Sequence, residues 1–207
     1  TRIKFKYPKK VELAGYKPTY KGHPSMVQQA GRIIMDSQRP VIYAGGGVRL
    51  SNAAPELLQL AETISAPVTH TLMGLGSFPG DHPLFLGMLG LHGTRYANQA
   101  VTECDCLIAV GARFDDRVVS KVSGFAPSAK IVHIDIDPAE IGKNVRSNLP
   151  IVGDVKNVLG AILPLLKKKD NAAWVARVQQ LKKDYPLHYR REGIMKPQFV
   201  IEKLNEF

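Results

Sequence analysis

Cysteine is nearly absent: Cys104 and Cys106 are the only two in 207 residues. Separated by a single residue and without a second ligand pair, they exclude a disulfide framework and a zinc site; both read as buried apolar side chains in a reducing compartment. Long apolar runs are missing as well. The best candidate, residues 155–166, is broken by polar and helix-weakening residues and falls short of the ~18–20 apolar residues that span a bilayer, so no membrane partner is expected. The first residue is not Met, and no secretory apolar stretch or Arg-rich amphipathic presequence leads the chain, so it reads as a segment of a longer polypeptide. No Ser-His-Asp order or nucleophile elbow is present.

What the chain does have is positive charge, 28 Lys and Arg against 18 Asp and Glu, a net +10 that taken whole suggests nucleic acid. The distribution argues otherwise. Residues 1–21 carry seven basic and one acidic residue, residues 167–207 carry ten and five, and residues 22–166 carry eleven and twelve. The centre is nearly neutral, so the charge belongs to flanking segments and no nucleic-acid partner is expected. With 44% apolar and 22% charged residues, the composition suits one globular domain.

Residues 1–23, with Pro8, Pro18 and Gly15 among lysines, read as a linker from a preceding domain. From Pro24 the periods become regular. Met26, Val27, Ala30, Ile33 and Ile34 share a helical face that Arg39-Pro40 must end. Strands are expected at 41–44, 67–70, 106–110, 130–135 and 150–152, and helices around Leu57, Leu60, Ala61 and Ile64, over 94–103, and from Val155 to Leu166. Residues 71–93, rich in glycine with three Leu-Gly pairs, read as a functional loop. The alternation predicts an α/β fold: a doubly wound, mainly parallel six-stranded sheet with helices on both faces, Rossmann-like, over residues 24–169. Residues 170–195 read as a helical linker, and 196–207 as the start of a following domain.

The glycines Gly45, Gly46 and Gly47 lie between a strand and a helix, where backbone N–H groups bind phosphate. A turn that merely connects strand to helix is the alternative. The dinucleotide fingerprint is incomplete, because Leu50 stands where its third glycine belongs and the second strand ends in His70-Thr71 instead of an acid. Residues 111–117 (GARFDDR) follow a central strand. There Arg113 and Arg117 flank Asp115 and Asp116, an arrangement able to neutralise a phosphate or to form only a surface ion-pair cluster; the strand-end position favours the former. Asp135 closes the next strand, where it could accept from a ribose or adenine. Asp137 before Pro138 reads mainly as a helix N-cap, and Asp154 fits either a cap or a ligand contact. His92-Gly93-Thr94 is the one histidine context that suggests a site; His23, His82 and His188 read as surface.

Together the stretches 41–47 (VIYAGGG), 71–76 (TLMGLG), 89–98 (LGLHGTRYAN), 110–118 (VGARFDDRV) and 133–137 (HIDID) resemble the central domain of acetolactate synthase (acetohydroxyacid synthase), a thiamine-diphosphate enzyme of branched-chain amino-acid synthesis. Residues 196–207 resemble the start of that family's next domain. The resemblance implies that FAD is held here in extended form. Gly45, Gly46 and Gly47 would line it, with Thr71, Leu72 and Met73 approaching. His92, Gly93 and Thr94 would flank its ribityl and isoalloxazine part. Gly111, Arg113, Asp115 and Val118 would lie along the ribityl and pyrophosphate, and Asp135, Ile136, Asp154 and Val155 at the adenosine end. Arg117 would meet the carboxylate of the second 2-keto acid. Leu91 stands where many members have methionine, a conservative departure.

Thiamine diphosphate and Mg2+ would be bound mainly by other domains, since the activating glutamate and the Gly-Asp-Gly…Asn metal motif are not in this chain. No catalytic residue and no metal site are therefore expected in it, and it is expected to be inactive alone. Implied partners are flanking domains of the same polypeptide, a homodimer or homotetramer, and a small regulatory subunit, in the cytoplasm or a plastid stroma. The alternatives are a related enzyme such as glyoxylate carboligase, or a sirtuin-like NAD enzyme, whose zinc module and catalytic histidine are not found.

Overall fold

The computed structural model describes residues 6, 7, 9, 17–119 and 122–206. Pro8 and Gly15 of the expected linker, and Phe207, lie outside them. Helix α1 (Pro24–Asp36) starts with proline in its first turn, where the missing N–H costs nothing. It ends at Ser37, ahead of the Arg39-Pro40 step. Strand β1 (Pro40–Ala44) is buried at all five positions and leads through Gly45 into the short helix α2 (Gly46–Leu50). Then come α3 (Ala54–Thr63), β2 (Val68–His70), β3 (Phe85–Met88), α4 (Arg95–Glu103), β4 (Cys106–Val110), β5 (Lys130–Asp135), β6 (Leu149–Val152), α5 (Val155–Ile162), α6 (Ala172–Asp184) and α7 (Pro197–Asn205).

The six strands form one sheet, entirely parallel, in the order β3-β2-β1-β4-β5-β6. From β1 the chain winds outward to β2 and β3, then crosses back to β4 and winds the other way, so the order reverses between β1 and β4. Alternation along each strand feeds two cores. Ile42, Ala44, Ile108 and Val110 pack with α1, α3 and α5 on one face. Val41, Tyr43, Leu107 and Ala109 pack with α4 and α6 on the other.

Two features depart from the sequence expectation. The stretch expected to be a loop, residues 71–93, contains a one-turn 3-10 helix (Leu72–Gly74) and the edge strand β3. No helix follows Asp137; residues 138–145 form turns, and the Asp137 carboxylate accepts the Ala139 N–H at 2.9 Å within one of them. Helix α6 falls in the expected linker yet buries Trp174, Val178 and Leu181. The Trp174 indole N–H reaches the Pro40 carbonyl at 3.0 Å, and Arg177 pairs with Glu103 at 2.7 Å. At the opposite edge, the Asp154 N–H donates to the Tyr20 carbonyl at 3.0 Å, so residues just before α1 lie against β6.

Candidate functional site

A cavity of about 740 Å³ opens at the carboxyl ends of the strands, over the point where strand order reverses. Open α/β sheets bind ligands at this place because the loops after neighbouring strands diverge there, and the size is that of a small-molecule or cofactor cleft. Gly46 and Gly47 after β1, Thr71, Leu72 and Met73 after β2, and His92 beyond β3 line one side. Gly111, Arg113, Asp115, Arg117 and Val118 after β4, and Asp135 and Ile136 at the end of β5, line the other.

Of the residues expected to contact the cofactor, five stand outside that lining. Gly45 is the N-cap of α2. Thr94 caps α4, accepting the Ala97 N–H at 3.1 Å while its hydroxyl donates to the Leu86 carbonyl at 2.8 Å. Gly93 packs on the backbone of residues 88–90. Asp154 caps α5 by accepting the Asn157 N–H at 3.1 Å, and Val155 is a buried core side chain.

The floor of the cleft is a backbone seam. Gly111 has φ +55°, a conformation that favours glycine, and a Cβ there would sit 2.6 Å from the Gly47 Cα. A Cβ on Gly47 would in turn sit 2.7 Å from the Gly111 Cα. Hydrogen bonds run from Gly45 N–H to Val110 O at 2.9 Å and from Gly47 N–H to Gly111 O at 3.0 Å. The glycines after β1 thus serve close approach to the loop after β4, a packing role that their sequence position alone did not reveal.

Above the seam the lining combines apolar lips with a few charges. Leu72, Met73 and Ile136 are exposed, and Leu50, 90% exposed, stands at the same rim. Arg113 pairs with Asp115 at 3.2 Å with both side chains largely solvated, so the pair contributes little stability and leaves the guanidinium available. The second oxygen of Asp115 is buried without a hydrogen-bond partner among the described residues, as is the Tyr43 hydroxyl beside the cleft. Burial, aided by the Asp115 charge, pushes the Tyr43 phenol well above its ordinary range, so it stays a neutral donor. One Asp135 oxygen accepts the Asp137 N–H at 2.9 Å; a carboxylate can accept about four such bonds, which leaves capacity for a ligand. None of the ion pairs among the described residues involves Arg117 or His92.

Tyr43, Leu50, Met88, Leu89, Ala112, Asp137 and Glu140 also line the cleft and were not singled out as site residues in the sequence. Tyr43 reads as a core strand residue, Met88 ends a strand that the sequence did not announce, and Glu140 is delivered by a turn that no local pattern marks. Two histidines, His70 and His133, are fully buried, and burial holds each imidazole below its ordinary range. His133 bonds the Ala112 carbonyl at 2.9 Å and stands edge-on to Phe114, which steadies the loop after β4. His82, read as a surface side chain, is partly exposed; it lies 3.5 Å from Glu62 and edge-on to Phe78. The thiol of Cys106 is pushed up to about 12 and that of Cys104 is also raised by burial, which keeps both unreactive. Among the described residues no group of three or more His, Cys, Asp or Glu could hold a metal ion, and no helix is long and apolar enough to cross a membrane.

Topology and cleft define a class: a doubly wound α/β module with a cleft at the reversal of strand order, lined by apolar side chains and a few charges. Within that class the chain belongs to the family described as thiamine pyrophosphate enzyme, central domain, whose pattern matches residues 27–162. It is 55% identical over 207 residues to a probable acetolactate synthase large subunit of Methanocaldococcus jannaschii, covering 98% of this chain and 35% of that protein. It is 46% identical over 210 residues to an acetolactate synthase of Mycobacterium bovis, covering 98% and 34%. To the acetolactate synthase large subunit of Cyanidium caldarium it is 45% identical over 202 residues, covering 94% and 34%. The chain thus spans about a third of the length of the curated relatives it matches.

Proposed function

We propose that this chain is the FAD-holding middle domain of an acetolactate synthase catalytic subunit, which decarboxylates pyruvate on thiamine diphosphate and joins the two-carbon unit to a second 2-keto acid. The observation that carries this is the cleft at the strand-order reversal, in a chain 55% identical to a probable acetolactate synthase large subunit. An extended dinucleotide fits the lining. From beyond β2 to beyond β5 it crosses three interstrand spacings, roughly 15 Å.

Leu72 and Met73 offer apolar surface for a ring system, and His92 lines the same side of the cleft. Arg113, oriented by Asp115, supplies a planar cation for pyrophosphate. The unpartnered Tyr43 hydroxyl and Asp115 oxygen suit the hydroxyls of a ribityl chain, and Asp135 suits the donors of an adenosine. Bound FAD supplies a structural element without an obligatory redox step. Gly45, Gly93 and Thr94 shape the loops that present their neighbours, while Asp154 and Val155 fix the start of α5. Arg117 holds the carboxylate of the acceptor keto acid. Thiamine diphosphate and Mg2+ are assigned mainly to other domains, so the segment alone is inactive. Its partners are the flanking domains, a second copy of the whole polypeptide and a small regulatory subunit, in the cytoplasm or a plastid stroma.

In the longer polypeptide, Asp135→Ala should weaken FAD retention by about tenfold to a hundredfold, the worth of a hydrogen bond to a charged group. Unchanged flavin absorbance after gel filtration would remove Asp135 from the site. Arg117→Ala should raise the KM for the acceptor keto acid by about tenfold or more, with flavin content intact. An acetolactate assay on that polypeptide tests the whole proposal; glyoxylate condensation in its place would make it a glyoxylate carboligase.

A further inference from the structure

Asn98 occupies the first turn of α4, a position at which asparagine gains nothing as a helix former. Its side chain explains it. The Oδ1 accepts the Gly90 N–H at 3.2 Å, and the Nδ2 donates to the Gly90 carbonyl at 3.1 Å and to the Thr94 carbonyl at 3.0 Å. One amide thereby holds both backbone groups of Gly90. That glycine has φ +104°, and a Cβ added to it would lie 2.5 Å from the Arg117 carbonyl oxygen and 3.0 Å from the Val118 Cα. The next N–H, of Leu91, donates to the same Arg117 carbonyl at 2.9 Å. The loop that carries His92 and the loop that carries Arg117 are therefore joined at one point, and Asn98 fastens that point to α4.

We infer that Asn98 is a positioning residue that sets the backbone of Arg117 at the mouth of the cleft and thereby governs affinity for the acceptor keto acid; this rests on the role proposed above for Arg117. The alternative is a purely local part in stabilising α4. Steady-state kinetics and FAD content of the longer polypeptide, loaded with its cofactors, separate the two, together with hydrogen exchange at the Leu91 amide.

Asn98→Ala and Gly90→Ala, which loosen the joint from opposite sides, should each raise the acceptor KM by about tenfold while flavin content holds. Exchange at Leu91 should speed up in Asn98→Ala. The double variant Asn98→Ala/Arg117→Ala should be no worse in acceptor KM than Arg117→Ala alone, because one acts through the other. Asn171→Ala is the control: it breaks a buried side-chain bond to the Ile64 carbonyl, away from the cleft, and should lower stability without moving the acceptor KM. An equal KM rise in Asn171→Ala, or additive effects in the double variant, would overturn the inference. If Arg117→Ala raises the KM and Asn98→Ala does not, the positioning role alone falls. If Arg117→Ala leaves the KM unchanged, the proposed role of Arg117 falls first.

Discussion

At the amino ends of the strands, polar groups are matched one to one. The Asp105 carboxylate accepts the Gln38 and Arg39 N–H groups at 2.8 Å each, the Asp105 carbonyl takes the Lys130 N–H at 2.9 Å, Asn171 bonds Ile64, and Trp174 bonds Pro40. In the carboxyl halves of the same strands, the Tyr43 hydroxyl, both His70 nitrogens and the His133 Nδ1 have no partner of ordinary geometry among the described residues, nor does Asp115 Oδ1 just beyond them. Large apolar side chains stand in solvent at that end only a few residues from the core. A buried polar atom without a partner costs about 1–3 kcal/mol. The two ends of the strands thus differ: at one the polar groups are paired, at the other buried polar atoms stay unpaired at a cost in stability.

The sharpest test removes a tie at the matched edge. Trp174→Ala should lower stability by about 3–5 kcal/mol in urea titration, as expected for a buried tryptophan. A change under about 1 kcal/mol would show that α6 is only a linker and that this edge is weaker than its hydrogen bonds suggest.

A second test uses acid. Burial holds His70 and His133 below the ordinary imidazole value, so the unfolded chain takes up protons first as pH falls through about 6.5. The unfolded state then binds more protons, and stability declines with falling pH by up to ~1.4 kcal/mol per unit for each histidine, until the folded pKa values are passed. Urea midpoints between about pH 7 and 5 should show the decline, and His133→Gln should flatten it. A pH-independent midpoint would mean these imidazoles are not held neutral.

The smallest effect comes from the orphan hydroxyl. Tyr43→Phe should leave the ligand-free protein within about 1 kcal/mol of the parent, or slightly more stable, because no hydrogen bond is lost. A larger loss on thermal melting would reveal a partner and blur the contrast between the edges.

How far the sequence reveals these edges depends on what local pattern can encode. Strands β1, β4 and β5 are apolar runs buried on both faces, and their ends announce themselves as Gly111 and Asp135. Strand β3 does not, because Phe85–Met88 includes Gly87 at φ +71° and pairs with β2 at the sheet edge through a shifted register. Its existence is a tertiary fact. Much of the cleft was legible for the same reason as the strands: GARFDDR and HIDID lie where a strand must stop. Tyr43 and Glu140 were not, since one reads as core and the other as an ordinary turn residue. Asp137-Pro138 has the local chemistry of a helix start, but its carboxylate closes a tight turn instead.

The glycine seam between Gly45, Gly47 and Gly111 has a mechanical meaning. Backbones meet there without intervening side chains and are tied by two hydrogen bonds, so the two halves of the sheet are joined directly where their windings diverge. A side chain at any of these glycines would push the two loops apart beneath the cleft, whereas the rim side chains Leu50, Leu72, Met73 and Ile136 are exposed and can be exchanged without disturbing that contact.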